Sequence, residues 1–300
     1  MLTPTQPPTE LTVYQSLWAM EDLPNPATPW SLPQQIELIA AEFDGVAVDL
    51  GARRAPVATE LAAAIVGAGL KVAVFAFIRD TNGLRVAIEY AHTVGARQIV
   101  VCAQIYGFDA AALADTLIQW YEVCAKADIT MQVETHRNTV TNDIRFTAAL
   151  LDQLDPRILL AGDLSHYVVA SEIPDEPTAE YEELITAILG RCGSLQGRIA
   201  TRGQVQIPLG TPSGAPWEAR FRSWWEKGFR SIRSRTAPGQ DVMFCTELGT
   251  RPYAITDSRG VELSDRWLDA LTLKHWAYEA FAASAFDSPT PLISTTGSHS

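Results

Sequence analysis

The feature that most constrains this chain is an alternation. Eight short β-rich runs are separated by eight amphipathic patterns, and neither kind occurs twice in succession. The β-rich runs are Thr12–Trp18, Gly45–Leu50, Lys71–Ile78, Gln98–Gln104, Ile129–His136, Ile158–Ser165, Gly197–Thr201 and Asp241–Leu248. Most are nearly continuous in apolar residues, VAVFAF and IVVCA being the clearest. Parallel strands buried on both faces have this character. Between them lie LPQQIELIAAEF, PVATELAAAIVGAG, GLRVAIEYAHTVG, AAALADTLIQWYEVCAKA, DIRFTAALLDQL, AEYEELITAILG, WEARFRSWWEKGF and SDRWLDALTLKHWAYEAFAA. Each places apolar residues three and four apart, and several stop at Gly, as helices do. Eight β/α units between residues 11 and 286 predict an α/β protein with a single closed (β/α)8 TIM barrel, a fold of about 250 residues. An open doubly wound sheet would alternate in the same way, but the first β-to-α turn has no GxGxxG phosphate loop.

No Pro/Ser/Gly-rich linker divides the chain, so residues 11–286 are expected to form one domain. The Pro/Thr-rich stretch 1–10 reads as a disordered arm and 287–300 as a flexible tail. The last four residues, Gly297 to Ser300, resemble a cloning remnant, so His299 is left out of site reasoning. Charge and composition exclude several classes. The 23 Lys and Arg stand against 35 Asp and Glu, a net charge of −12. A chain so acidic is poorly suited to tracking nucleic-acid phosphates. No apolar run approaches the roughly 18 residues of a membrane span. Cys102, Cys124, Cys192 and Cys245 form no CxxC pair and read as buried apolar residues of a reducing compartment. With no basic and then apolar leader at the start, the expectation is a cytoplasmic protein.

In a barrel of this kind chemistry collects at the C-terminal ends of the strands. The fifth run ends Glu134-Thr135-His136-Arg137, the sixth Asp163-Leu164-Ser165-His166, and the eighth Thr246-Glu247. The seventh spans Gln196-Gly197-Arg198 to Thr201-Arg202, and the second run adds Asp49. The first, third and fourth end in Trp18, Phe77 and Gln104, a more apolar wall. Three carboxylates brought to one mouth repel one another. Either a divalent cation neutralises them or at least one is protonated. A hard ion such as Mg²⁺ or Mn²⁺ suits carboxylate oxygens. Singly, His136 and His166 are ordinary polar residues; His166 gains weight from lying three residues after Asp163.

The segments VETHRN, GDLSHYV and FCTELGTRPY resemble the xylose isomerase-like TIM barrels, the sugar phosphate isomerase/epimerase superfamily that includes the ketose 3-epimerases. The resemblance runs from the first strand to the last helix. It implies one divalent metal held by Glu134, Asp163 and Glu247, with His166 binding substrate. The family's fourth ligand is a His on the seventh strand, in His-Ala-Arg or His-Gly-Arg. Here QGRIATRGQVQIP aligns without a gap and places Gln196 at that position, while Arg198 and Arg202 keep theirs. A neutral amide for an imidazole leaves the charge of the ligand set unchanged but makes the donor harder and weaker. That shift favours Mg²⁺ and Mn²⁺ over Zn²⁺. Alternatively, Gln196 does not ligate and the site is weakened or lost. Strand alternation would bring Gln196, Arg198 and Arg202 to one face.

The resemblance implies a sugar isomerase or epimerase acting on a small ketose or keto-sugar. Glu134 and Glu247 would exchange protons beside the carbonyl through an enediolate, with His166, Arg202, Arg198, His136 and Trp18 binding the sugar. Three rivals stand beside it. A lyase or hydrolase of oxidised (3-keto) glycosides would use the same metal and base. A sugar-binding barrel without catalysis would have lost the metal. A multi-zinc nuclease of the superfamily would need many histidines at the mouth, where at most two are expected, and a basic face, against a net charge of −12. Trp224, Trp225, Trp267 and Trp276 could build a homo-oligomer interface, although packing against the barrel accounts for them as well.

Overall fold

The structure is a computed structural model and describes residues 9–285. The expected arm and tail lie, apart from residues 9 and 10, outside the described residues. Eight strands form a closed, all-parallel barrel in sequence order, and β8 (Asp241–Thr246) pairs back onto β1 (Glu10–Ser16). The others are β2 (Gly45–Asp49), β3 (Lys71–Ile78), β4 (Gln98–Ala103), β5 (Thr130–Glu134), β6 (Leu159–Gly162) and β7 (Cys192–Gly197). The helices are α1 (Leu32–Glu42), α2 (Ala58–Ile65), α3 (Thr81–Thr93), α4 (Ala110–Lys126), α5 (Ile144–Leu151), α6 (Leu164–Ala170), α7 (Ala179–Leu189), α8 (Ala215–Arg233) and α9 (Arg266–Ala283).

The expected (β/α)8 barrel is therefore present, with two local corrections. The sixth unit carries two helices, because the chain turns helical directly after Gly162. Asp163 caps α6 by accepting a hydrogen bond from the Ser165 amide at 2.9 Å. The run through Ser165 is thus not strand to its end. The seventh strand lies earlier than expected, at Cys192–Gly197 rather than Gly197–Thr201. CGSLQG carries no β-branched residue, so propensity does not mark it. Pairing marks it instead, with Ser194 opposite Met243 and Gln196 opposite Cys245. Gly193 lets the Gln132 side chain lie close, since a Cβ would come within 2.7 Å of its amide nitrogen.

Strand parity sorts the side chains into two cores. Outward residues such as Val74, Val101, Val133, Leu195 and Phe244 pack under the helices. Inward residues Tyr14, Ala47, Ala73, Phe75, Val100, Ala161, Met243 and Cys245 plug the barrel itself. Gly45 leaves room for the Tyr14 ring, which a Cβ would approach to 2.5 Å. The plug closes the lower part of the barrel and leaves the polar layer above it. Trp224 and Trp225 are 0% exposed and belong to the outer core, so they are unavailable as an interface. Trp267 and Trp276 are partly buried against the same core.

Candidate metal and sugar site

Strand parity aims Glu134 and Gln196 inward and, carried one residue past the strand ends, Arg198 and Glu247 as well. On β5, Met131 and Val133 face the outer core, leaving Gln132 and Glu134 inside. On β8, Val242 and Phe244 face out, so Met243, Cys245 and then Glu247 face in. Ser194, Gln196 and Arg198 follow the same rule on β7. Asp163 stands at the end of β6. Glu134, Asp163 and Glu247 are all buried, and each offers a carboxylate oxygen within 4.8 Å of the others.

Threonines latch the segment after β5. Thr141 donates from Oγ1 to the Glu134 carbonyl at 2.6 Å and accepts from the His136 amide at 3.1 Å. Thr139 donates to the His136 carbonyl at 2.6 Å, and Thr135 donates to the Asp163 carbonyl at 2.8 Å. All three threonines are buried, and the Thr135 bond fixes the end of β5 against the Asp163 backbone.

The electrostatics follow from burial. Desolvation above all, with Asp163 and Asp49 acting in the same direction, raises the Glu134 carboxyl to about 8. A hydrogen bond from the Cys102 thiol, 2.9 Å from Oε2, and the Arg198 charge oppose the rise. Burial likewise raises Glu247 well above the carboxylate range, against the pull of Arg198. Asp49 is raised to about 6, chiefly by burial. Burial disfavours the Arg198 charge, but Asp163 and Glu247 outweigh it and hold the guanidinium protonated. Its Nη2 lies 2.9 Å from Asp163 Oδ2 and 3.2 Å from Glu247 Oε2. The rings of Trp18 and Tyr253 lie 5.6 and 5.0 Å from it. Burial also keeps both imidazoles neutral, lowering His136 to about 4 and His166 well below its usual value.

A cavity of about 520 Å³ opens above these groups, lined among others by Trp18, Asp49, Phe77, Glu134, His136, Arg198 and Glu247. The structure thus brings Glu134, Glu247, Arg198, His136 and Trp18 to one cavity. Asp163 and His166 are buried behind them, His166 Nε2 lying 3.4 Å from Asp163 Oδ2. Arg202 is not brought there. Strand β7 ends at Gly197, and a turn bridging Thr201 and Gln204 breaks the parity. The Arg202 side chain is 51% exposed and pairs with Glu172 at 3.4 Å. Sequence reasoning passed over Tyr253, Cys102 and the threonine latches. Tyr253, Cys102 and Thr135 find their partners on other elements, and Thr139 and Thr141 only where the chain folds back after β5.

The donors can be tested against a divalent cation. Gln196 is buried, and both its Oε1 and its Nε2 lack a hydrogen-bond partner. An amide left unsatisfied in the interior costs about 1–3 kcal/mol unless something binds it. With all three carboxylates ionised, the guanidinium leaves two negative charges in excess, which one divalent ion would neutralise; without an ion, burial favours protonated glutamates instead. The donor set of Glu134, Asp163, Glu247 and Gln196 consists of oxygens, the chemistry of hard ions. These residues fit such an ion.

Comparison with solved structures fixes the fold. D-allulose 3-epimerase from Methylomonas sp. matches 93% of this chain and all of its own, with a TM-score of 0.58 at 14% identity. A xylose isomerase-like TIM barrel protein from Mycobacterium smegmatis, solved in complex with magnesium, matches 91% of this chain and 98% of its own at 0.56 and 14%. The chain has the xylose isomerase-like TIM-barrel fold. A xylose isomerase-like TIM barrel/4-hydroxyphenylpyruvate dioxygenase fusion protein matches 84% of this chain at 0.54 and 16%, and this chain spans 41% of it. No protein-family model matches the sequence, and a search of curated proteins finds no match.

Proposed function

We propose that the chain is a sugar isomerase or epimerase that depends on a divalent cation and shifts a proton beside the carbonyl of a ketose or keto-sugar. The observation that carries this reading is the pair of buried glutamates, Glu134 and Glu247, facing one cavity from strands separated by β6 and β7. The fold likeness to D-allulose 3-epimerase supports it. Bound by Glu134, Asp163, Glu247 and Gln196, Mg²⁺ or Mn²⁺ would supply the charge that keeps one glutamate ionised as the base while the other holds a proton, and would polarise the sugar carbonyl.

The remaining chemistry belongs to the chain. One glutamate takes the proton from the carbon next to the carbonyl, giving an enediolate. The other returns a proton to the opposite face of that carbon for epimerisation, or one group carries it to the neighbouring carbon for isomerisation. Arg198 keeps Nη1 and Nε without hydrogen-bond partners. Pre-aimed N–H donors of this kind stabilise a developing oxyanion without reorganisation. Trp18 and Phe77 shield the reacting carbon from water, and His136 bonds a hydroxyl.

The deciding experiment incubates ketoses with the protein in D₂O, with Mn²⁺ and with chelator. Deuterium should enter at the carbon beside the carbonyl only when the cation is present. A full ketose panel without exchange in either condition would refute the proton-transfer reading. The lyase or hydrolase reading gains from one observation. A second groove of about 910 Å³ shares Asp22 and Arg251 with the first cavity, room for the second ring of a glycoside. Release of a free sugar from a 3-keto glycoside would favour it.

A further inference from the structure

Beside the carboxylate cluster lies a second convergence, which shares Glu134 and His136 with the proposed chemistry but whose capacity to hold a cation of its own that chemistry leaves unused. Glu134, His136 and His166 each offer a ligand atom within 4.8 Å of the others. The two imidazole rings stand 3.9 Å apart, tilted by 47°. His166 is 1% exposed, and neither of its ring nitrogens has a hydrogen-bond partner. A neutral imidazole always carries one donor and one acceptor, and buried imidazoles normally satisfy both. The His136 ring is oriented differently. Its Nδ1 faces the Arg137 carbonyl at 2.5 Å and can only donate there, which leaves the lone pair on Nε2. A backbone carbonyl that fixes the tautomer in this way is the usual support behind a metal-bound histidine. Phe77 packs edge-on against His136 at 5.1 Å and holds the ring from the other side.

We propose that Glu134, His136 and His166 form a second divalent-cation site, one carrying nitrogen donors, adjacent to the carboxylate site and sharing Glu134 with it. Two imidazoles and one carboxylate suit borderline ions such as Zn²⁺, Co²⁺ or Fe²⁺. The neighbouring set of oxygens suits Mg²⁺ or Mn²⁺. The two sites therefore differ in preference although one glutamate serves both. This inference rests on the carboxylate site of the proposed function only through Glu134.

The test uses the full chain stripped of metal by chelation and titrated with Co²⁺, followed by calorimetry and by visible absorption. Two equivalents are expected. Saturating Mg²⁺ should displace one and leave the d–d bands of the nitrogen-bearing site. In His136→Ala the Mg²⁺-resistant equivalent should weaken by roughly 100-fold or more, while the Mg²⁺-sensitive one remains. A single equivalent fully displaced by Mg²⁺ would overturn the second site, as would two unaltered equivalents in His136→Ala. The Mg²⁺ competition is made on the unaltered chain, so it stands even if the variant does not fold. A single Mg²⁺-resistant equivalent, absent in His136→Ala, would uphold this site while removing the carboxylate site on which the proposed function rests.

Discussion

The two halves of the barrel mouth are built on different principles. From β5 to β8, Glu134, Asp163, Arg198 and Glu247 stand on strand ends or just past them, nearly all of their charge withdrawn from water. From β1 to β4, the cavity wall is Trp18, Phe75, Phe77 and Cys102, with Asp49 the one carboxylate on a strand end. Loops add charge at the rim of this side, where Arg53 meets Glu21 and Asp22 at 3.4 and 2.8 Å in the cavity lining. Charges that must keep a fixed geometry ride on the most rigid part of the fold. Groups that supply shape tolerate loops. The first half should therefore be sensitive to a single atom, and the second only to volume.

The largest effect tests the charged half directly. Glu247→Gln keeps the shape and removes the proton acceptor, so turnover of the ketose substrate should fall by about 10²–10⁴. Circular dichroism and the melting curve should stay close to those of the parent. Retained turnover would remove Glu247 from the chemistry.

Arg198→Met is next in size and is read in stability. It leaves Asp163 and Glu247 buried without their guanidinium. Removing one partner of a buried ion pair costs about 3–5 kcal/mol. The urea midpoint of the metal-free variant should drop accordingly, and Mg²⁺ should recover part of the loss. An unchanged midpoint would show that the carboxylates are already protonated and need no cation.

pH sharpens the same point. Glu134 has a folded pKa raised above its unfolded value by burial. The folded chain then holds a proton that the unfolded chain releases. Stability from this group is complete below about pH 4.5 and declines as pH rises toward about 8. Melting of the metal-free chain should therefore fall across that window, and saturating Mg²⁺ should flatten the fall. A rise across the window would contradict the assigned direction.

The apolar half should respond more weakly. Phe77 is 36% exposed and lines the cavity beside His136. Phe77→Ala should raise KM by roughly tenfold, the order of 1–3 kcal/mol for a lost apolar contact, with kcat changed less. A kcat loss as large as that of Glu247→Gln would mean that the wall also positions the reacting groups.

Legibility in the sequence divides along similar lines. The third strand, Lys71–Ile78, was readable to the residue because everything after Lys71, VAVFAFI, is apolar. The carboxylates were readable because they end such runs. The seventh strand was misplaced because CGSLQG owes its conformation to neighbours on both sides rather than to its own composition. The threonine latches and the second imidazole cluster were invisible for a related reason. The Thr135–Asp163 bond and the approach of His136 to His166 exist only when β5 and β6 pair, and the Thr139 and Thr141 bonds only when the segment after β5 folds back on its strand end.

Arg202 isolates that distinction at the smallest scale. The sequence treats Arg198 and Arg202 alike, as residues of one parity four positions apart. The structure separates them at Gly197, where pairing stops, and sends Arg202 to a surface pair with Glu172. Exposed ion pairs of this kind contribute about 0–1 kcal/mol. Arg202→Ala should therefore leave both the urea midpoint and kcat/KM within about twofold of the parent, as surface substitutions do. A large rise in KM would show that the segment after β7 folds inward when sugar binds, carrying Arg202 to the cavity and extending the charged half by one side chain.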